Sequence, residues 1–211
     1  MRRITKGTPP PSLIAHAKER VPDPAYGNYP DTDGLRSCLV RDQGGLCCYC
    51  MRRIWADGAR MKIEHLRSQR RHPRLQLDWK NLFGACNGGE GARRSQQTCD
   101  TRKGDADIDI ELLALRDDTF RYTEAGRIES TDGAKQADID ATLNLNEAAL
   151  VRARISAVSE LRRRLQQKLG ATGTWTPAAL GRERAALCAK RPLPELLGLL
   201  EYWIARHQRG R

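Results

Sequence analysis

The 211-residue chain has no apolar run approaching the roughly 20 residues of a membrane-spanning helix. Its opening stretch, MRRITKGTPPPS, is basic but lacks the apolar segment of a secretory signal, so a cytosolic location is expected. Cysteine is present without being paired off. There are seven, an odd number, and a reducing compartment favours metal thiolates over bridges. Negative charge is in short supply, with 26 Asp and Glu against 37 Lys and Arg and a net charge of +11. The shortage is local: residues 1–104 carry 20 Lys/Arg and 10 Asp/Glu, whereas residues 105–211 carry 17 and 16. A basic first half fits a polyanionic partner such as nucleic acid, whose phosphates release counterions when Arg and Lys neutralise them. The alternative is a basic surface with no such role. An apolar content of 39% with 30% charged residues fits a soluble protein with one good-sized core, or a small module with an extension.

What is present concentrates between Leu46 and Lys103, in LCCYC, KIEHL, LDWKNLFGACNGGEG and CDTRKG. Cys47 and Cys50 have the two-residue gap that lets both sulfurs reach one ion, and Cys86 and Cys99 can complete a closed zinc tetrahedron although twelve residues separate them. Cys48 is one residue from Cys50, lacks that spacing, and is expected to pack, as are Cys38 and Cys188. With zinc saturated by thiolates, Glu64 and His65 are free for other work. A carboxylate suits a hard ion such as Mg²⁺ or Mn²⁺, and a histidine, titrating near about 6.5, suits a base acting on water.

In this order the residues Cys-x-x-Cys, Glu-His, Asn-Leu, Cys and Cys-Asp-x-x-Lys resemble the HNH endonucleases. CCYCMRRI, KIEH, LDWKNLFGACNGG, CDTRKGD and LNLN together look like the HNH subunits of the Septu-type anti-phage systems (PtuB), also found with some retrons. The resemblance covers most of the chain. It implies a ββα-metal nuclease module with His65 as general base, Glu64 and Asp100 as ligands of the catalytic Mg²⁺ or Mn²⁺, and Asn81 bracing the loop that aims His65. Glu stands where Asp is commoner, and Asp100 where the family has His or Asn; both remain oxygen ligands. The resemblance also implies a PtuA-like ATPase partner that controls cleavage. The competing class is a non-catalytic zinc-binding adaptor that holds nucleic acid or a protein through the same basic face.

The fold expected is α+β, mainly α: an N-terminal arm (1–34), a zinc-stapled ββα-metal module (35–104), and a largely helical extension (105–211). Nucleic-acid contacts are expected at Arg67, Arg70, Arg71, Arg74 and Lys103, since arginine's planar fork binds phosphate oxygens in pairs. Arg93 and Arg94 lie in a polar excursion that is either a link between zinc ligands or a DNA-facing loop. Asp107, Asp109 and Glu111 alternate with isoleucine, which is more simply an amphipathic segment than a metal cluster. His16 and His72 are read as non-functional, and Trp79 and Phe83 as core.

Ser12 is expected to cap a helix from Leu13 to about Arg20. A second helix should lead through Leu35 and Leu39 to Gly44-Gly45, Lys62–Leu66 should be a strand, and a hairpin should turn at Gly126. Asn146 is expected to cap a long helix to about Leu169 with an apolar stripe at Leu150, Ile155, Val158, Leu161, Leu165 and Leu169. Thr176-Pro177 and Pro194 should start two more. The cluster Arg162, Arg163 and Arg164 is read as solvated charge near a helix end.

Overall fold

The computed structural model describes residues 1–19, 23–169 and 174–209. The fold is α+β and mainly helical. Among the described residues the elements are α1 (Pro11–His16), α2 (Thr32–Asp42), β1 (Lys62–His65), β2 (Leu82–Ala85), α3 (Cys99–Lys103), β3 (Arg121–Tyr122), β4 (Ile128–Glu129), α4 (Gly133–Ala137), α5 (Ala148–Leu169), α6 (Pro177–Ala189) and α7 (Leu197–Gln208). Strands β1 and β2 pair antiparallel, with Glu64 opposite Phe83 and His65 opposite Leu82. β3 and β4 form the expected hairpin, whose turn requires φ of +76° at Gly126.

The three expected segments share one core. Met1 and Ile4, the turn Leu46–Met51, Phe83 and Ala85, and Leu197 to Ile204 all belong to a single buried apolar cluster. A smaller cluster of Leu13, Tyr29, Leu35, Leu39 and Leu82 seats α1 and α2 against β2. No helix is long and apolar enough to cross a membrane among the described residues.

Several expected helix starts are displaced. Ser12 does not cap α1, which begins at Pro11; its hydroxyl instead donates to Asp31 at 2.7 Å. The expected end at Arg20 lies outside the described residues. Asn146 bridges the backbone of Ile128 at 2.9 and 3.0 Å, so Glu147 takes the cap of α5, accepting from Ala149 N at 2.7 Å. α7 starts at Leu197, after Leu196 in left-handed geometry, and not at Pro194.

The stripe of α5 is also narrower than expected. Leu150, Leu161 and Leu165 are buried, but Ile155 is 43% exposed. At 100° per residue Ile155 lies well round the helix from Leu150, and the inward position is Arg154. The Arg154 guanidinium is buried and donates to Gly126 O at 3.0 Å and Leu145 O at 2.6 Å.

Candidate functional site

Cys47 and Cys50 sit on the turn between α2 and β1, Cys86 follows β2, and Cys99 opens α3. Their sulfurs all lie within 4.8 Å of one another. Cys47 Sγ is 3.9 Å from Cys99 Sγ, and Cys50 Sγ is 3.6 Å from Cys86 Sγ. A tetrahedron with metal–sulfur bonds of about 2.3 Å has edges of about 3.8 Å, whereas a disulfide is about 2.05 Å. The four cysteines are thus positioned to hold a metal ion, compatible with zinc. Burial pushes the Cys47 thiol up, but hydrogen bonds from Cys48, Cys50, Cys86 and Cys99 outweigh it and hold Cys47 well below the usual thiol range, which favours a thiolate.

The long gap between Cys86 and Cys99 closes for a local reason. Thr98 N donates to Gly88 O at 2.8 Å, and a Cβ on Gly88 would stand 2.1 Å from Thr98 O, so only glycine permits the approach. The excursion therefore leaves and returns at one point. Met51 and Cys99 adopt φ of 61° and 55°, left-handed values that cost a non-glycine residue energy and that the surrounding cage must hold. Cys48 is buried and outside the quartet, as expected, while Cys38 and Cys188 are only half-buried.

Beside the quartet, β1 and α3 bring two carboxylates together. Glu64 is 1% exposed; its Oε1 accepts from Tyr49 Oη at 2.8 Å and pairs with Lys103 Nζ at 2.8 Å. Its Oε2 is buried with no hydrogen-bond partner among the described residues. Burial raises the Glu64 carboxyl well above the usual carboxylate range, and the adjacent Asp100 carboxylate, from the first turn of α3, adds to the rise. A proton or a cation between the two is what such an arrangement requires.

His65 follows Glu64 on the strand, and alternation turns the two to different surroundings. Its Nε2 lies 3.0 Å from Gln76 O and its Nδ1 lies 3.2 Å from Gln69 Nε2, with Tyr26 edge-on at 4.6 Å. A carbonyl only accepts, so neutral His65 carries its proton on Nε2, and Nδ1 is the acceptor. Burial lowers its pKa to about 4. Asn81 is buried: Oδ1 accepts from Arg67 N at 2.7 Å, and Nδ2 donates to Arg67 O at 2.9 Å and Leu75 O at 3.0 Å. It ties down the loop that follows His65.

The basic residues divide. Lys103 is not available as a nucleic-acid contact: it is 4% exposed and spent on Glu64 and on His65 O at 3.0 Å. Arg67 is half-buried and braced on Ile108 O at 2.7 Å and on Glu111. Arg70, Arg71 and Arg74 are exposed, with Arg70 3.6 Å from Asp105 and Arg71 3.3 Å from Asp107. Asp107 also meets His72 at 3.1 Å, so the acidic segment serves the arginine loop in place of a metal. Sequence reasoning missed Tyr49 and Gln69. Only Tyr49, two residues from Cys47, carried a positional hint.

A cavity of about 750 Å³ lies between the first residues, β3 and α7, and its lining includes neither Glu64, His65 nor Asp100. No protein-family model matches the chain, and no curated protein is significantly similar to it.

Proposed function

We propose that the chain is a metal-dependent endonuclease of the HNH type that hydrolyses phosphodiester bonds in nucleic acid, with DNA as the expected substrate. The observation that carries this reading is the meeting of Glu64 and Asp100 beside the cysteine quartet, with one buried Glu64 oxygen left without a partner. Zinc in the quartet staples β2, α3 and the preceding turn.

Two carboxylates fit a hard ion such as Mg²⁺ or Mn²⁺, with Glu64 and Asp100 as its ligands. When bound, such an ion stabilises charge on the phosphate and on the leaving 3′-oxygen. Tyr49 and Lys103 hold Glu64 Oε1 and so aim Oε2. Proton removal from the attacking water falls to His65 Nδ1, with Nε2–H anchored on Gln76 O. Gln69 is exposed and must yield Nδ1 as substrate enters. Arg70, Arg71 and Arg74 bind the flanking phosphates. The Septu resemblance adds a PtuA-like ATPase that licenses cleavage, and with it a role as effector of an anti-phage complex.

A second reading, a non-catalytic zinc-binding adaptor, is favoured by one observation: Lys103 already neutralises Glu64, and both His65 nitrogens are engaged. Plasmid cleavage separates the two. The chain, alone and with its ATPase partner, is incubated with Mg²⁺ or Mn²⁺ and without divalent ions. Cleavage that needs the ion and falls by about 10²–10⁴-fold in His65→Ala, with zinc content unchanged and the chain still folded, supports the nuclease. Absence of cleavage in the complex, or loss of zinc in His65→Ala, favours the adaptor.

A further inference from the structure

A second cavity, about 320 Å³, is lined by Arg52, Trp55, Arg60, Cys86, Asn87 and Gly88, among others. Its volume is at the small end of the range for small-ligand sites, about 300–1,000 Å³. Trp55 is 45% exposed, and among the described residues the other large exposed hydrophobics are both isoleucines. The exposed indole offers a flat π-face at the rim of the cavity. The Arg60 guanidinium lies 4.8 Å from the centre of the Trp55 ring. Arg52 is exposed, and no ion pair engages it among the described residues.

These features call for a ligand that is flat and anionic. A phosphate alone supplies only the charge, and an apolar peptide only the stacking surface. A nucleotide supplies both: a π-face for Trp55 and phosphates for the arginines. A base inside a duplex presents no free face. We propose that this cavity receives one unpaired base of the nucleic-acid substrate, stacked on Trp55, with its flanking phosphates on Arg52 and on Arg60, which also pairs with Asp57 at 2.8 Å on the exposed surface. The inference rests on the nuclease reading and narrows its substrate class to nucleic acid containing an unpaired nucleotide. Thr98 lines the cavity and immediately precedes α3, the helix of Asp100.

The test uses the full, metal-loaded chain without added Mg²⁺ or Mn²⁺, so that nothing is cut. Binding of a fluorescein-labelled single-stranded oligonucleotide and of its duplex is followed by anisotropy. Trp55→Ala is expected to weaken single-strand binding by between about 5-fold and about 100-fold, the loss of one stacked base, with Trp55→Phe retaining most of the affinity and duplex binding little changed. An unchanged melting temperature confirms that the exposed side chain was not holding the fold. Single-strand affinity equal to wild type in Trp55→Ala, or equal losses on single strand and duplex, overturns the stacking site and leaves the nuclease reading standing. Failure of the unmodified chain to bind either oligonucleotide overturns both.

Discussion

Replacing Cys99 by serine tests the structural centre most directly. Cys99 is fully buried and joins Cys47 across 52 residues of chain, while Cys50 and Cys86 join across 36. Treated as a covalent cross-link, either closure restrains the unfolded chain by about 4 kcal/mol at room temperature. The two closures overlap in sequence and do not add fully, yet together they rival the whole stability of a domain, about 5–15 kcal/mol. Zinc in small peptide sites contributes about 10–16 kcal/mol, in keeping with that scale. Losing the Cys99 thiolate opens the longer closure and removes the cage that holds its left-handed backbone. At about 2–4 °C per kcal/mol for a chain of this size, the longer closure alone lowers the melting temperature by roughly 8–16 °C, and loss of the ion, which opens both, should lower it further. Zinc released by thiol modification and read with a chromogenic chelator should drop from about one per chain toward zero. Cys48→Ala is the control: an equally buried thiol outside the quartet should keep its zinc and cost about 1–2 kcal/mol. If Cys99→Ser retains a full zinc complement and melts within about 2 °C of wild type, the four sulfurs are not one metal site.

Three further outcomes are expected. Lys103→Ala removes the partner of Glu64 in a site where both side chains are 1% exposed, so in denaturant titrations it should destabilise by about 3–5 kcal/mol at a pH where Glu64 is ionised, with the penalty shrinking as pH falls and Glu64 takes up a proton; a surface-like loss under about 1 kcal/mol across the whole range contradicts the buried pair. Because the Glu64 carboxyl is raised in the fold, the folded state keeps a proton that the unfolded chain releases above about pH 4.5, and this stability is lost as pH rises through the folded value. A divalent ion on Glu64 and Asp100 displaces that proton, so the thermal shift given by Mn²⁺ should be larger at about pH 8 than at about pH 5, and equal shifts at both would refute the dyad as its site. Replacing Arg70 and Arg71 together by Ala should leave stability nearly unchanged, since both pairs are exposed, while the slope of log affinity against log salt for duplex DNA falls by about 2; an unaltered slope returns both to the solvated surface.

Local chemistry made much of this protein legible from its sequence. The Cys-x-x-Cys turn, the strand Lys62–His65, the glycine-turned hairpin and the cap at Thr176 each depend on residues within a few positions of one another, and each lies where it was expected. Caps and helix faces were less secure where a distant partner competed. Asn146 is a good helix cap in isolation, but the unpaired backbone of Ile128 offered it two hydrogen bonds. Arg154 displaced Ile155 from the buried face of α5 because carbonyls of Gly126 and Leu145 needed a donor there. Lys103 shows the limit most sharply: one residue past Arg102 in a basic run it reads as a surface cation, and only the packing of α3 against β1 makes it the buried counter-ion of Glu64. The sequence alone determined which residue types were available for the cysteine quartet and for the proposed carboxylate site, and the order in which they occur. Which sulfurs share one centre, which Glu64 oxygen is left without a partner and which cations still face water were decided by tertiary structure, because burial and hydrogen-bond satisfaction depend on the elements that close around a side chain.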